Sequence, residues 1–193
     1  MGLDIDFRKR VQIVNFFAKN VPGKTIGKIE VLKAVFFADR YHLLKNGRTV
    51  SEDTYYAMKH GPVASEVKNI CTLERMSDEQ KRYIRQYLRI NKNSVHSHGD
   101  REYDASLFSE SDLEALKEAL NLFRKLKNNR VDIAEYSHRF FDWDNKYKPF
   151  LPLDEDNRID MDVDEFFNIL PEDDYCAKID SELMALNREL INY

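Results

Sequence analysis

Over residues 25–45 the chain carries Ile26, Ile29, Leu32, Val35, Phe36, Tyr41, Leu43 and Leu44 at helical spacing, on a face too broad for a surface helix. A helix apolar this far round has to be covered by its neighbours, so it should be central to the fold. Asn46-Gly47 supplies its stop, because glycine takes the left-handed conformation that ends a helix without a steric penalty. Within the run stands Asp39-Arg40. Charges entering a core need partners, so the pair reads either as a structural ion pair or as a position at the rim.

The flanking segments are amphipathic and shorter. Val11, Val14, Phe16, Phe17 and Val21 predict a first helix, capped by Asp4 or Asp6 and ending before Pro22-Gly23. Residues 49–58 are β-branched and aromatic and predict a strand. Gly61-Pro62 ends it, with Pro62 in the first turn of a helix that aligns Val63, Val67, Ile70 and Leu73. A helix over 78–87 precedes an expected hairpin, 88–95 against 102–107, turning at Ser97-His98-Gly99-Asp100. Ser109 can cap a helix striped by Leu113, Leu116, Leu120, Phe123 and Leu126, with Arg124, Lys125 and Lys127 at its end, where cations suit the helix dipole. Further helices are predicted over 131–138, 163–169 and 175–190. The expected fold class is α+β, mainly α-helical with a small antiparallel β-sheet; no repeat is visible at solenoid periods.

A chain of 193 residues with 42% hydrophobic and 33% charged residues can bury a real core, which excludes collagen-like and wholly disordered classes. The net charge of −4 is unevenly spread. Residues 151–193 hold 13 acidic and 3 basic side chains, net −10, which leaves net +6 on residues 1–150. This asymmetry divides the chain into a domain over 1–150, including the first helix, and an acidic, helical extension over 151–193. Such a tail can fold back on the basic part or meet a basic partner, although a solvated acidic surface is the plainer reading. No apolar run reaches the roughly 18 residues of a membrane span, and the first residues lack the apolar stretch of a secretory signal. A cytoplasmic protein with no membrane partner is expected. Cys71 and Cys176 form no C-x-x-C and should pack as small apolar residues.

Motifs for chemistry are few. His96-x-His98 is the most metal-like pair, but it lacks an evident third ligand, so surface histidines are the reading adopted. Asp154, Asp156, Asp160, Asp162 and Glu165 fall at the first, third, seventh, ninth and twelfth positions of a calcium loop, yet Arg158 brings a cation to a ligand position and Ile159 stands where glycine is required. No metal and no cofactor are expected. Ser65, Cys71 and Ser137 lie in no nucleophile elbow, and neither a P-loop nor G-x-G-x-x-G is present. Tyr83 and Tyr87 interleave with Lys81, Arg82, Arg85 and Arg89, a pattern open to nucleic acid but equally to a solvated helix.

Three runs and two later elements carry a family resemblance. They are residues 28–42, ending in Asp39-Arg40-Tyr41-His42; then Gly47-Arg48-Thr49-Val50; then Tyr56-Ala57-Met58-Lys59-His60-Gly61-Pro62-Val63. Phe108-Ser109 opens a later helix, and Ser137-His138 precedes Trp143. In this order, over about residues 25–147, the chain resembles the Panacea, or SocA-like antitoxin, domain. The resemblance implies an antitoxin of a bacterial, often prophage-associated, toxin–antitoxin pair that neutralises a cognate protein toxin by direct binding. It also implies possible service as an adaptor to a cellular protease or chaperone, and it implies no catalysis. The signature and candidate interaction residues carried over are Asp39, Arg40, Tyr56, His60, Gly61, Pro62, Val63, His138 and Trp143. Gly61, Pro62 and Trp143 also read as purely structural, since they relax, fix or bury what surrounds them. Tyr55, Tyr83, Tyr87 and Tyr103 are further candidate anchors for a partner. The alternatives are a small hydrolase that gathers His60, His138 and Asp39, and a nucleic-acid-binding regulator; whether DNA is bound is left open.

Overall fold

A computed structural model describes residues 3–98, 102–141, 146–150, 158–168 and 174–191. Its organising element is α2 (Lys28–Asn46), in which every residue from 31 to 44 is buried. The Gly27 N–H donates to the Glu30 side chain at 2.8 Å and starts the helix, and left-handed Gly47 (φ +74°) ends it by donating to the Leu43 carbonyl. Around α2 pack α1 (Ile5–Lys19), α5 (Glu110–Asn128), α6 (Ile133–Ser137) and α7 (Ser181–Ile191). The chain is mainly α-helical with small antiparallel sheets, as expected.

Two three-stranded antiparallel sheets complete the described fold. One has the order β1 (Thr25–Gly27), β5 (Ser94–Ser97), β4 (Leu88–Ile90). The other has the order β3 (Gly61–Ala64), β2 (Tyr55–Met58), β6 (Ile159–Asp160). Helices α3 (Ser65–Thr72) and α4 (Asp78–Tyr87) lie in the chain between β3 of the second sheet and β4 of the first. Buried polar groups tie these parts together. Ser97 donates to Asn15 at 2.6 Å, and Gln12 accepts from the Asp104 N–H, so α1 is fixed to β5 and to the loop beyond it.

Several local expectations are corrected. Residues 25–27 form β1, with Ile26 opposite Val95, because the Gly27–Glu30 cap sets the helix start at Lys28. The hairpin pairs β4 with β5 through Asn91-Lys92-Asn93, closed by Asn91 N–H to the Ser94 carbonyl at 2.9 Å. Residues 105–107 form a short 3-10 turn capped by Asp104 in place of the expected strand. Pro62 lies in β3 opposite Ala57, and α3 begins only at Ser65; an edge strand tolerates a residue with no N–H to give. β2 begins at Tyr55, because Asp53 turns instead to accept the N–H groups of Glu66 (3.0 Å) and Val67 (2.9 Å) and caps α3 from a distance. Residues 163–167 are a 3-10 helix, and α7 starts at Ser181 after an Asp180 cap. Asp4 stands at the start of α1 without a side-chain capping bond.

The described part of the acidic C-terminal segment closes over α2. Arg40, with no exposed side chain, donates to the Phe166 and Asn168 carbonyls, both at 2.8 Å, and to both carboxylate oxygens of Asp174 at 2.7 and 2.5 Å. Its guanidinium also lies 4.6 Å from the Phe140 ring centroid. Asn187 of α7 donates to the Leu44 carbonyl at 2.9 Å. Removing one member of a buried ion pair leaves the other charged and dry. Asp174→Ala is therefore expected to lower the unfolding free energy by about 3 to 5 kcal/mol, read from denaturant melts; a loss below about 1 kcal/mol would show that water or another group replaces the carboxylate.

Candidate functional site

The signature residues divide between the interior and one hairpin. Asp39 is wholly buried and receives the Ser51 N–H at 2.8 Å, the Ser51 hydroxyl and the Tyr55 hydroxyl at 2.7 Å. Burial raises its pKa from the ordinary 3.8 to about 6, against the pull of those hydrogen bonds. Asp39 thus fixes the bend at residues 49–54 that leads into β2. Arg40 points into the contact with Asp174 described above. Neither side chain faces an open cleft.

The β2–β3 hairpin holds the rest. Tyr56 sits opposite Val63, and Met58 opposite Gly61, with Lys59 and His60 exposed at the turn between them. Gly61 has φ +92°, and a Cβ there would lie 2.8 Å from both the His138 ring and the Ser137 hydroxyl, so His138 is packed directly against the hairpin. The Pro62 carbonyl accepts from the ammonium of Lys33 at 2.7 Å. Lys33 is 1% exposed, and burial holds its pKa well below the usual lysine range. The Arg158 guanidinium covers the Tyr56 ring at 4.1 Å from its centroid. Trp143 lies outside the described residues.

The hairpin separates two clefts. One, of about 410 Å³, runs past Tyr56 toward Arg75 and Arg158; the other, of about 400 Å³, runs past Lys59 and His60 toward Lys33, Ile29 and Leu32. Met58, Val63 and Lys68 line both. The structure therefore joins Tyr56, His60, Gly61, Pro62, Val63 and His138 in one locality and assigns Asp39 and Arg40 to the interior. Asp39 bonds to Ser51 and Tyr55, so the three residues of a hydrolase reading divide among a sealed interior position, an exposed turn and a ring packed on Gly61. Sequence patterning gives Lys33, Lys68 and Arg75 no role, and Arg158 only that of the cation that breaks a calcium loop. Lys33 had a signal, since a lone cation inside an otherwise apolar helix demands a special environment.

Other sequence candidates have ordinary roles. His96 bonds to the Thr25 hydroxyl across the first sheet at 2.8 Å, and no group of three metal-ligating side chains occurs among the described residues. Tyr83 and Tyr87 contact each other in a tilted arrangement and pack against the core, Tyr83 also against Phe7. Of the rejected calcium loop, residues 154–157 lie outside the described residues; Asp162 caps the 3-10 helix, and Glu165 accepts from the Tyr147 hydroxyl. Cys71 and Cys176 are buried free thiols, each pushed by burial to about 12. Among the described residues no helix is long and apolar enough to cross a membrane.

A family model described as antitoxin SocA-like, Panacea domain, matches residues 31–144, which include the whole hairpin and both His138 and α2 from Val31. The chain belongs to this family. No curated protein and no solved structure matches it. The matched span begins inside α2 and ends before β6, so the Arg158 and Asp174 contacts of this Panacea protein come from outside it.

Two expectations follow. Asp39 binds its proton more tightly folded than unfolded, so its contribution is full below about pH 4 and is lost as pH rises through about 6. The stability of wild type relative to Asp39→Asn, followed by thermal and urea melts, should fall by on the order of 3 kcal/mol between pH 4 and 7; a flat difference would mean that the carboxylate is not desolvated. Gly61→Ala forces a positive φ on a side chain that also meets His138 and Ser137. It should cost about 2 kcal/mol or more, whereas Ala at Gly23, with φ +67° but open space around it, should cost about 1 kcal/mol.

Proposed function

We propose that this protein is the antitoxin of a toxin–antitoxin pair and neutralises a cognate protein toxin by covering it, without chemistry of its own. Membership of the SocA-like antitoxin family carries the reading. The geometry supports it by what the signature residues do. The charged ones in the helix are consumed in holding the fold, while the hairpin offers a surface with apolar, aromatic and cationic side chains suited to a protein partner. A stable contact of this kind buries about 1,200 to 2,000 Å² in total and rests on a few anchors. The same contact serves delivery of the bound toxin to a protease or chaperone, and the toxin's half-life in the presence of the antitoxin separates this route from simple occlusion.

Coexpression with the product of the adjacent reading frame is the direct test. Growth arrested by that product should be restored, and the two polypeptides should copurify. Absence of both rescue and copurification overturns the reading, as does substrate turnover by the purified chain.

A further inference from the structure

The two clefts beside the hairpin share Met58, Val63 and Lys68, and together they have a marked charge bias. Lys33, Lys59, Lys68, Arg75 and Arg158 line them, and Glu74 is the single carboxylate that does so among the described residues. Glu74 is itself drawn to Lys68, at 3.5 Å. Among the described residues no carboxylate bridges Lys59, Arg75 or Arg158. The floor is apolar: Met58 and Val63 run beneath both clefts, and Ile29, 45% exposed, and Leu32 extend the second.

Lys33 sharpens the chemistry. Its ammonium has three N–H donors, and the Pro62 carbonyl takes one of them at 2.7 Å. Burial disfavours the charged form of this side chain, so an anion brought to it would be met by a group whose protonation it favours. Phosphate on a duplex fits less well than a carboxylate side chain. The clefts are floored by aliphatic groups, and the one tyrosine that lines them, Tyr56, is already covered by Arg158.

We propose that this face receives a segment of the toxin in which carboxylates flank an apolar anchor, the anchor seated on Met58 and Val63 and the carboxylates meeting Lys59, Lys68, Arg75 and Arg158. The proposal rests on the antitoxin reading and names the chemistry of its partner. It places Lys59 and His60 at the lip and Lys33 at the bottom of the same recess.

The test uses the full chain and the polypeptide encoded by the adjacent reading frame. Zero-length carbodiimide coupling of the complex should join Lys59 and Lys68 to aspartate or glutamate of the partner. Lys59→Glu/Lys68→Glu and Arg75→Glu/Arg158→Glu should each weaken the complex at least about tenfold and reduce growth rescue, with affinity falling as salt rises. Arg82→Glu/Arg85→Glu, the same charge change on α4, should stay within about twofold of wild type. Circular dichroism melts establish that all three variants are folded. Wild-type affinity and full rescue in both hairpin variants overturn this face while leaving the antitoxin reading intact. Loss of binding to an upstream DNA duplex in those variants, with toxin binding retained, overturns it in favour of nucleic acid. Failure of the wild-type chain itself to bind or rescue removes the antitoxin reading and this inference together.

Discussion

A guanidinium buried at the centre of the fold dictates much of what surrounds it. Arg40 lies on a helix that has no solvent face over residues 31–44, so its charge must be met from inside. The chain meets it with a carboxylate 134 residues further on and with two backbone carbonyls of the segment before that. Exchanging such a pair for apolar side chains of equal volume is often harmless to stability, so the contact is better understood as a selector. Of all the ways the acidic C-terminal segment could lie on α2, only the one that presents Asp174 and the Phe166 and Asn168 carbonyls to Arg40 avoids a naked charge.

Asp39, one residue earlier, imposes a second constraint on the other side of the helix. By taking two hydrogen bonds from Ser51 and one from Tyr55 it fixes the bend through which the chain enters β2, and so the position of the hairpin. Lys33 holds the far strand of that hairpin through the Pro62 carbonyl, and the His138 ring closes against Gly61. Two polar residues of one helix, Lys33 and Asp39, thus work inward to place a turn whose Lys59 and His60 are exposed. This division explains how a signature can contain buried and exposed members at once.

The centrality of α2 could be read from its breadth of apolar residues, and the start of α5 from Ser109, which accepts the Asp112 N–H as a cap should. Both signals are local. What escaped was decided at long range. Thr25 and Ile26 continue the apolar pattern of the helix and become strand only because β5, seventy residues on, offers Val95 and His96 as partners. Pro62 looked like a helix start because proline suits one; its real place is set by the ladder with Ala57. The same holds for the candidate site. The residues of the signature were visible, but their burial was not, since Asp174 and Arg158 approach from sequence-distant segments. Lys33 carries a local signal of its own, a lone cation among apolar neighbours on α2, as Asp39-Arg40 does.

The charge asymmetry of the chain also takes on a definite meaning. A net of −10 on residues 151–193 and +6 on residues 1–150 invites the idea that one simply neutralises the other. The described carboxylates of the tail have other duties: Asp174 meets Arg40, Asp164 meets Arg188, Glu165 meets Lys146, and Asp162 and Asp180 cap helical turns. Asp160 pairs through its backbone with Tyr56. Two of these acids meet cations of residues 1–150, Arg40 and Lys146, and none of those named bridges the cations that line the hairpin clefts. A positive field in a partly apolar recess therefore survives folding among the described residues, although the chain as a whole is acidic. Net charge describes how such a protein behaves in bulk solution, whereas recognition depends on where the uncompensated charges stand relative to surface that water leaves readily.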